Sequence, residues 1–216
     1  YARRDLVRYF RKLYLNFFYQ FSEFEEESDY FVYPLHLQPE ASTLVLGQDY
    51  CNQLELIKAI SRRLPADKVL VVKEHPAAYG RHSKALYDQI SALFNVKLVG
   101  PEEDVGKLIL KSCGVIVISG TMGWEALLLG KPALVLGSVF YGNFPGAVDV
   151  ENLDQLADSL NAHLRGAAKE EMALALNALE LGSYDGYFDV HKLDTERKVL
   201  DPENLDAIFR GISSFI

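Results

Sequence analysis

Two short stretches of small and polar residues could bind an anion. The first is Ser119-Gly120-Thr121-Met122-Gly123, where a β-branched run passes through small residues into a helix-like segment. The N–H groups of a helix's first turn and the positive end of its dipole attract phosphate. Gly120 lets the backbone approach a ligand closely, and the hydroxyl groups of Ser119 and Thr121 add donors. The alternative is that Thr121 only caps the helix.

The second stretch is Glu74-His75-Pro76, which follows an apolar run ending at Lys73. His75 could donate a hydrogen bond to a phosphate oxygen, more strongly when protonated, and Pro76 would fix the turn that orients it. Lys73 would neutralise either the ligand or Glu74, and the sequence leaves this open. A single histidine is more often structural than functional, but its place after a strand favours binding.

Two further side chains could contact a sugar or a base. Glu125 lies one helical turn after Thr121, so its carboxylate could accept hydrogen bonds from vicinal sugar hydroxyls. The alternative role is to complement the helix N-terminus, which is worth ~0.3–1 kcal/mol. Tyr141 could cover a base or a sugar, although simple packing explains an aromatic residue equally well.

A loop with two prolines carries three polar side chains. His36 and Gln38 lie between Pro34 and Pro39, and Glu40 directly follows Pro39. Prolines stiffen a loop, which suits positioned binding groups but also suits an ordinary turn. We include Gln38 and Glu40 among the candidate ligand-binding residues.

The sequence lacks signs of metal or nucleotide-hydrolysing chemistry. It contains no D-x-D pair, no P-loop, no dinucleotide fingerprint and no nucleophile elbow. His82, His163 and His191 have no partner at the spacing of metal ligands. We therefore predict neither a metal nor a cofactor, and we assign no catalytic residue.

The elements that must position these groups alternate between strand and helix. Five strands separated by helices predict an α/β fold with a doubly wound parallel sheet. Ligands bind such sheets beyond the carboxyl ends of the strands, so the candidate loops should open on one edge. The predicted strands are 30–33, 69–73, 96–99, 115–118 and 132–136, and the predicted helices are 49–64, 84–94, 104–112, 122–129, 152–165, 169–181 and 204–215, with Gly130 closing the fourth.

The two ends differ from this central pattern. Residues 2–21 combine five Arg and Lys residues with apolar residues at helical spacing, which predicts an amphipathic basic helix. An acidic connector follows, and residues 183–204 are irregular before a last helix that should pack on the body. We therefore divide the chain into a helix and connector (1–29), a Rossmann-like domain (30–182) and a C-terminal segment (183–216).

Composition limits the partners. The chain has 216 residues, 49% of them hydrophobic, and a net charge of −8, which argues against nucleic acid as the main partner. Cys51 and Cys113 form no C-x-x-C pair, which fits a reducing compartment. No apolar run is long enough to span a membrane. The chain begins at Tyr1 rather than at a methionine, and two interpretations stay open: a piece of a longer protein or a naturally truncated one.

Three ordered motifs resemble one family. Residues 33–42 resemble the PLHxQPE segment of the capsule polysaccharide biosynthesis family, which includes bacterial 3-deoxy-manno-octulosonic acid (Kdo) transferases. Residues 73–76 and 119–126 resemble its two other signatures in the same order. The resemblance covers about half of the chain, from Tyr30 to Gly146, and is fairly specific because three motifs agree.

The resemblance implies the donor-binding, C-terminal domain of a GT-B glycosyltransferase. In related enzymes, a His-Pro pair and a Ser/Thr turn hold the phosphate of a CMP-sugar without a divalent metal. Here these would be His75-Pro76 with Ser119 and Thr121, and CMP-Kdo would be the donor. The saccharide or lipid-linked acceptor, and the base that activates it, would belong to a domain that this chain lacks.

Several alternatives stay open. The donor could be a UDP-sugar or CDP-glycerol, although a diphosphate would favour more basic residues near Ser119. The chain could also be a non-catalytic interaction domain of a polysaccharide assembly complex. The N-terminal helix is either an interdomain connector or a peripheral contact with an anionic membrane surface. We expect a cytoplasmic location, including the inner face of the bacterial inner membrane.

Overall fold

The computed structural model describes residues 2–23, 29–183 and 201–213. Six strands form one sheet in the order β3-β2-β1-β4-β5-β6, and every neighbouring pair is parallel. This is the strand order of a Rossmann fold, so the predicted α/β class is confirmed. The strands are β1 (Tyr30–Pro34), β2 (Val69–Lys73), β3 (Val96–Val99), β4 (Gly114–Val117), β5 (Ala133–Val135) and β6 (Ala147–Asp149).

Helices follow most strands and cover the sheet. The predicted helix 49–64 is shorter, because a 3₁₀ turn at Gln48–Tyr50 precedes it and the Asn52 side chain caps its start. Gly130 ends α6 with a positive φ of 74°, as predicted. The helices are α1 (Ala2–Phe18), α2 (Ala41–Leu44), α3 (Gln53–Ser61), α4 (Lys84–Ser91), α5 (Val105–Lys111), α6 (Thr121–Leu128), α7 (Leu153–Asn161), α8 (Lys169–Leu181) and α9 (Pro202–Ser213).

The sheet has one strand more than the five that were predicted. β6 has only three residues, and Asp149 at its end is exposed. Such a strand at the sheet edge carries no buried apolar run, so no pattern indicated it. In the centre, all residues of β1 and β4 are buried, which matches the continuous apolar runs of a sheet covered on both faces.

α1 forms as predicted, but it contacts the sheet domain through its basic side. Arg8 donates to the backbone carbonyls of Ala77 and Tyr79, at 2.7 and 3.4 Å. Leu15 is fully buried. The apolar residues that defined the predicted face stay exposed: Leu6, Tyr9, Phe10, Leu13, Phe17 and Phe18. The helix therefore docks by hydrogen bonds to a turn rather than by its aromatic stripe.

The chain forms two compact units, residues 1–169 and 170–216. The first contains the sheet and α1 to α7, and the second contains most of α8 and all of α9. The division at 29 and 182, and the packing of the last helix on the body, stay predictions. Most of the acidic connector (24–28), most of the irregular segment (184–200) and His191 lie outside the described residues. No helix in the described part of the chain is long and apolar enough to cross a membrane.

Candidate functional site

A cavity of about 390 Å³ opens at the carboxyl edge of the sheet. It lies where the strand order reverses between β1 and β4, the position at which Rossmann-type sheets bind ligands. The loops after β1, β2 and β4 and the first turn of α6 line it, so three of the four predicted loops meet there. Its predicted lining residues are Glu40, Lys73, Glu74, His75, Pro76, Ser119, Gly120, Thr121 and Glu125.

His75 is half-buried and its ring orientation is fixed by the turn that it starts. Its Nδ1 accepts a hydrogen bond from the backbone N–H of Ala77 at 3.0 Å. A neutral imidazole has one donor and one acceptor nitrogen, so the proton of the neutral ring lies on Nε2. His75 therefore presents an N–H donor whether it is neutral or protonated.

Glu74 braces this turn from inside the protein. Its side chain is fully buried, and Oε1 accepts from the backbone N–H of His75 at 2.7 Å. Oε2 accepts from the Tyr87 hydroxyl and lies 3.0 Å from Nδ1 of His82. Burial and the charge of Glu74 raise the pKa of the Tyr87 phenol. The phenol therefore stays protonated and donates a hydrogen bond to Glu74. Both carboxylate oxygens of Glu74 are thus engaged by the protein.

The sequence left open whether Lys73 neutralises a ligand or Glu74, and in the structure its ammonium group contacts backbone carbonyls. Its Nζ lies 2.9 Å from the carbonyl of Pro101, 3.0 Å from that of Gly100 and 3.2 Å from that of Glu74. These carbonyls can use all three ammonium hydrogens. Burial lowers the pKa of Lys73, while the Glu102 carboxylate and other nearby carboxylates act against this shift. Lys73 thus joins the ends of two neighbouring strands through backbone carbonyls.

The N-terminus of α6 carries no side-chain cap. Gly120 is the N-cap residue and Thr121 is the first helical residue, so the capping alternative for Thr121 is wrong. By contrast, side chains cap four other helices: Asn52, Ser83, Asp104 and Asn152 cap α3, α4, α5 and α7. Thr121 and Met122 line the cavity, and the helix does not use their backbone N–H groups, whereas that of Gly123 donates to the Gly120 carbonyl at 3.3 Å.

Tyr141 supports this turn from behind. It is buried, its hydroxyl donates to the backbone carbonyl of Gly120, and its ring packs near Trp124 and Phe140. A methyl group at Gly123 would come within 2.6 Å of the Tyr141 hydroxyl oxygen, so this glycine is needed for the packing. Tyr141 does not line the cavity, and the packing alternative describes its contacts.

The loop after β1 divides between structural and cavity-lining side chains. Gln38 lies outside the cavity, and its amide donates to the carbonyl of Cys51 at 2.8 Å. Glu40 lines the cavity from the loop after β1, and Glu125 lines it from α6. Both residues are exposed. The two carboxylates thus border the cavity and are candidates for contacts with the hydroxyl groups of a ligand.

His36 lines the cavity, although we did not select it from the sequence. It is 6% exposed, and neither ring nitrogen has a hydrogen-bond partner within the described residues. Burial lowers its pKa to about 4 and nearby His75 acts in the same direction, while the backbone of Pro34 and the side chain of Gln53 oppose this shift. The signal that could have found it is the one that selected His75: a histidine just after the carboxyl end of a buried strand.

The family model for capsule polysaccharide biosynthesis proteins matches residues 6–178 of the 216. The chain belongs to the capsule polysaccharide biosynthesis protein family. The match begins inside α1 and reaches α8, so it is longer than the half of the chain on which the motif resemblance depended.

Solved structures similar to this family member include three kinds of protein. The β-Kdo 2,7 transferase KpsC of Thermosulfurimonas dismutans is 18% identical, with 82% of this chain and 62% of that chain covered and a TM-score of 0.48. UDP-GlcNAc 2-epimerase of Methanocaldococcus jannaschii is 20% identical, with coverages of 82% and 50% and a TM-score of 0.49. Anabaena HepE in complex with UDP-glucose is 18% identical, with coverages of 70% and 44% and a TM-score of 0.48.

These similarities concern the fold. The chain spans about half the length of the structures that it matches, from 44% to 62%. A search of curated protein sequences gives no match. Within the described ranges, no group of three His, Cys, Asp or Glu side chains is arranged to hold a metal ion.

Proposed function

We propose that this chain is the donor-binding portion of a glycosyltransferase of capsular or surface polysaccharide synthesis. One observation carries the proposal: the His75 ring and the uncapped first turn of α6 line the same cavity at the switch point of the sheet. Both are hydrogen-bond donors, and together they suit a phosphate group. In a member of the capsule family, a nucleotide-activated sugar is the ligand that fits best.

The donors and acceptors of the cavity divide between the two parts of such a ligand. The phosphate would accept from the backbone of α6, the hydroxyl groups of Ser119 and Thr121, and Nε2 of His75. The exposed carboxylates of Glu40 and Glu125 would accept from sugar hydroxyls, since an acidic group repels phosphate but binds O–H donors. Pro76 would keep the His75 turn in shape.

A CMP-sugar, with CMP-Kdo as the specific candidate, fits the charge of the cavity better than a diphosphate donor. Lys73 is the single Lys or Arg among the described residues that line it, and its ammonium faces backbone carbonyls. A diphosphate would bring more negative charge than one helix terminus balances. CMP-sugars carry one phosphate, so they need fewer cations.

During transfer, the bond between the anomeric carbon and the phosphate oxygen breaks, and its electron pair stays on the phosphate. Donors already aimed at that phosphate stabilise the departing nucleotide without rearranging. The acceptor and the base that deprotonates it would be supplied by another domain, so this chain would hold the donor half of the site. No metal is needed for the step that we propose.

The proposed donor also suggests a location. A cytoplasmic site of action agrees with two free cysteines, Cys51 and Cys113, because reducing compartments preserve thiols. Peripheral association with the inner face of the bacterial membrane belongs to the same proposal, since a lipid-linked acceptor would lie there.

Calorimetric titration of the whole chain with CMP, UMP, CDP and UDP tests the proposal. We expect CMP to bind most tightly, and His75→Ala to weaken its binding by about tenfold or more, as expected for loss of a hydrogen bond to a charged group. His163→Ala, which changes an exposed histidine outside the cavity, is the matched control.

A pair of substitutions at Thr121 separates the backbone from the hydroxyl contribution. Proline is favoured at the first helical position, and Gly120 already has the extended backbone that a following proline requires. Thr121→Ala removes the hydroxyl, and Thr121→Pro also removes the N–H. We expect Thr121→Pro to bind CMP more weakly than Thr121→Ala. A folded wild-type chain that binds none of the four nucleotides would refute the proposal and favour an interaction domain.

A further inference from the structure

The His36 imidazole is a buried polar group without a partner in the wall of a cavity. It is 6% exposed, and neither Nδ1 nor Nε2 has a hydrogen-bond partner among the described residues. A buried polar group that lacks a hydrogen bond destabilises the folded state, and native proteins keep few of them. The missing partner of the ring is explained if a bound ligand supplies it.

The position of His36 relative to α6 indicates which part of a ligand it would meet. A methyl group built on Gly120 would lie 3.1 Å from Nε2 of His36, so the ring packs against the backbone where α6 begins. The same cavity is lined by His75 and Ser119. His36 is therefore beside the two groups to which we assign the phosphate.

The backbone of His36 is firmly held, so the ring is not placed by chance. The Gln53 side chain accepts from the backbone N–H of His36 at 2.6 Å and donates to its carbonyl at 2.9 Å. The ring also packs 5.8 Å from the ring of Tyr33, which is fully buried. These two bonds of Gln53 are made to the His36 backbone, and its Oε1 also accepts from the Tyr33 hydroxyl at 3.4 Å.

We propose that His36 is a further ligand-binding residue, which donates a ring N–H to the phosphate of the bound nucleotide at the N-terminus of α6. The inference rests on the proposed function and adds a further donor to it, near His75. A local turn of the ring about its side-chain bonds would present the nitrogen, because the ring already borders the cavity.

The ring should act as a neutral donor in the free protein. Its lowered pKa of about 4 leaves it uncharged at pH 7, with one N–H and one bare nitrogen. The positive end of α6 and the neighbouring His75 both disfavour a second cation there. The exposed carboxylates of Glu40 and Glu125 are the opposite charges that border the same cavity.

Substitution by phenylalanine separates binding from packing. His36→Phe keeps a ring of similar size and removes the unpaired nitrogens. If His36 binds phosphate, the free variant should melt at the same or a higher temperature than the wild type, while CMP binds at least about tenfold more weakly. If His36 only packs, the variant should bind CMP as the wild type does.

The experiment is calorimetric titration of the full chain with CMP and with cytidine at pH 7.5. We expect His36→Phe to bind CMP more weakly than the wild type and to bind cytidine as the wild type does, because cytidine lacks the phosphate. His36→Asn, which keeps an N–H donor, should recover part of the affinity, and His163→Phe should behave as the wild type. ¹⁵N spectra of the wild-type imidazoles should show the His36 signals shifting when CMP is added.

The outcomes distinguish this inference from the proposed function. Wild-type binding of CMP with unchanged affinity in His36→Phe, or an equal loss for cytidine, would overturn the role of His36 and leave the nucleotide site in place. A folded wild type that binds no nucleotide would remove both. If His36→Phe does not fold, His36→Asn and the imidazole spectra decide, and unshifted His36 signals would refute the inference.

Discussion

The two loops that line the cavity from β2 and from β4 are held in different ways. The loop after β2 is fixed by buried ionisable groups, because Glu74 binds the His75 backbone, Tyr87 and His82, and Lys73 joins it to β3. The loop after β4 is held by neutral hydrogen bonds, among them that of the Tyr141 hydroxyl to the Gly120 carbonyl and that of the Gly137 N–H to the Ile118 carbonyl.

This difference indicates a division of labour. A satisfied network of buried polar groups is rigid, but the loss of one member leaves the others unpaired. A turn held by neutral hydrogen bonds tolerates the loss of one of them better, and the N–H groups at the start of α6 stay available to a ligand. We therefore expect the first loop to set the geometry of the site and the second to supply most of the binding groups.

The largest expected effect is the loss of the Glu74 carboxylate. Glu74→Ala should lower the free energy of unfolding by about 3–5 kcal/mol, because it leaves several buried donors without an acceptor. Urea denaturation measures this, with Glu125→Ala as the control, since Glu125 is exposed and should change stability by less than about 0.5 kcal/mol. A loss below about 1 kcal/mol for Glu74→Ala would contradict the rigid-network interpretation.

The second-largest expected effect is a loss of stability at low pH through His36, which packs against Gly120 in the loop after β4. Its folded pKa of about 4 lies below the ordinary 6.5, so protonation favours the unfolded chain. The contribution is fully present above about pH 6.5 and falls by about 3 kcal/mol as the pH is lowered to 4. Urea denaturation between pH 7 and 4 should show this difference between the wild type and His36→Phe. Parallel curves for the two proteins would show that His36 is not the titrating group.

Tyr87→Phe should cost about 1–3 kcal/mol, because Glu74 keeps its burial but loses one donor. The ring itself remains in place, so the loss reports the hydroxyl alone. Thermal and urea unfolding give the value, and Tyr9→Phe on the exposed side of α1 is the control. An unchanged stability would mean that His82 and the His75 backbone N–H satisfy the carboxylate without the Tyr87 hydroxyl.

The smallest effect should follow Tyr141→Phe, at about 0.5–1.5 kcal/mol, since one neutral hydrogen bond to Gly120 is lost. Because Tyr141 does not line the cavity, CMP affinity should change by less than about threefold. Calorimetric titration and urea denaturation check both values. A greater loss of stability in Tyr141→Phe than in Tyr87→Phe would contradict the conclusion that the loop after β2 depends more on its buried polar contacts than the loop after β4 does.

The sheet was predictable where strands are apolar on both faces. β2 and β3 begin and end at the predicted residues, because β-branched runs are bounded by polar residues or glycine. The short helix α2 and the edge strand β6 carry no such pattern. They depend on contacts with distant parts of the chain, which hydrophobic periodicity does not record.

The site was predictable at the level of loops but not of individual contacts. The rule for parallel sheets placed His75 and Thr121 at one cavity, as the structure does. The partners of Lys73 lie up to 28 residues away along the chain, and Tyr141 is 21 residues from Gly120. Such pairings follow from loop conformation, so residue type and spacing could not separate bracing side chains from cavity-lining ones.

α1 also shows why helical spacing alone can mislead. Its exposed aromatic residues have the spacing of a buried face, yet Arg8 and Leu15 make the contacts with the domain. Arginine can replace apolar packing where backbone carbonyls are exposed at a turn, because its guanidinium offers five donors. The carbonyls involved belong to a turn that no sequence pattern linked to α1.

The attachment of α1 has a practical consequence for any shortened form of the protein. Arg8 and Arg11 donate to carbonyls of Ala77 and Arg81, within the turn that His75 begins. A version that starts at residue 29 would keep the whole sheet and the Glu74 contacts but would lose these hydrogen bonds to the turn. We expect amide hydrogen exchange across α1 to slow when the cavity is filled, because a ligand that orders the turn would also retain the hydrogen bonds between the turn and the helix.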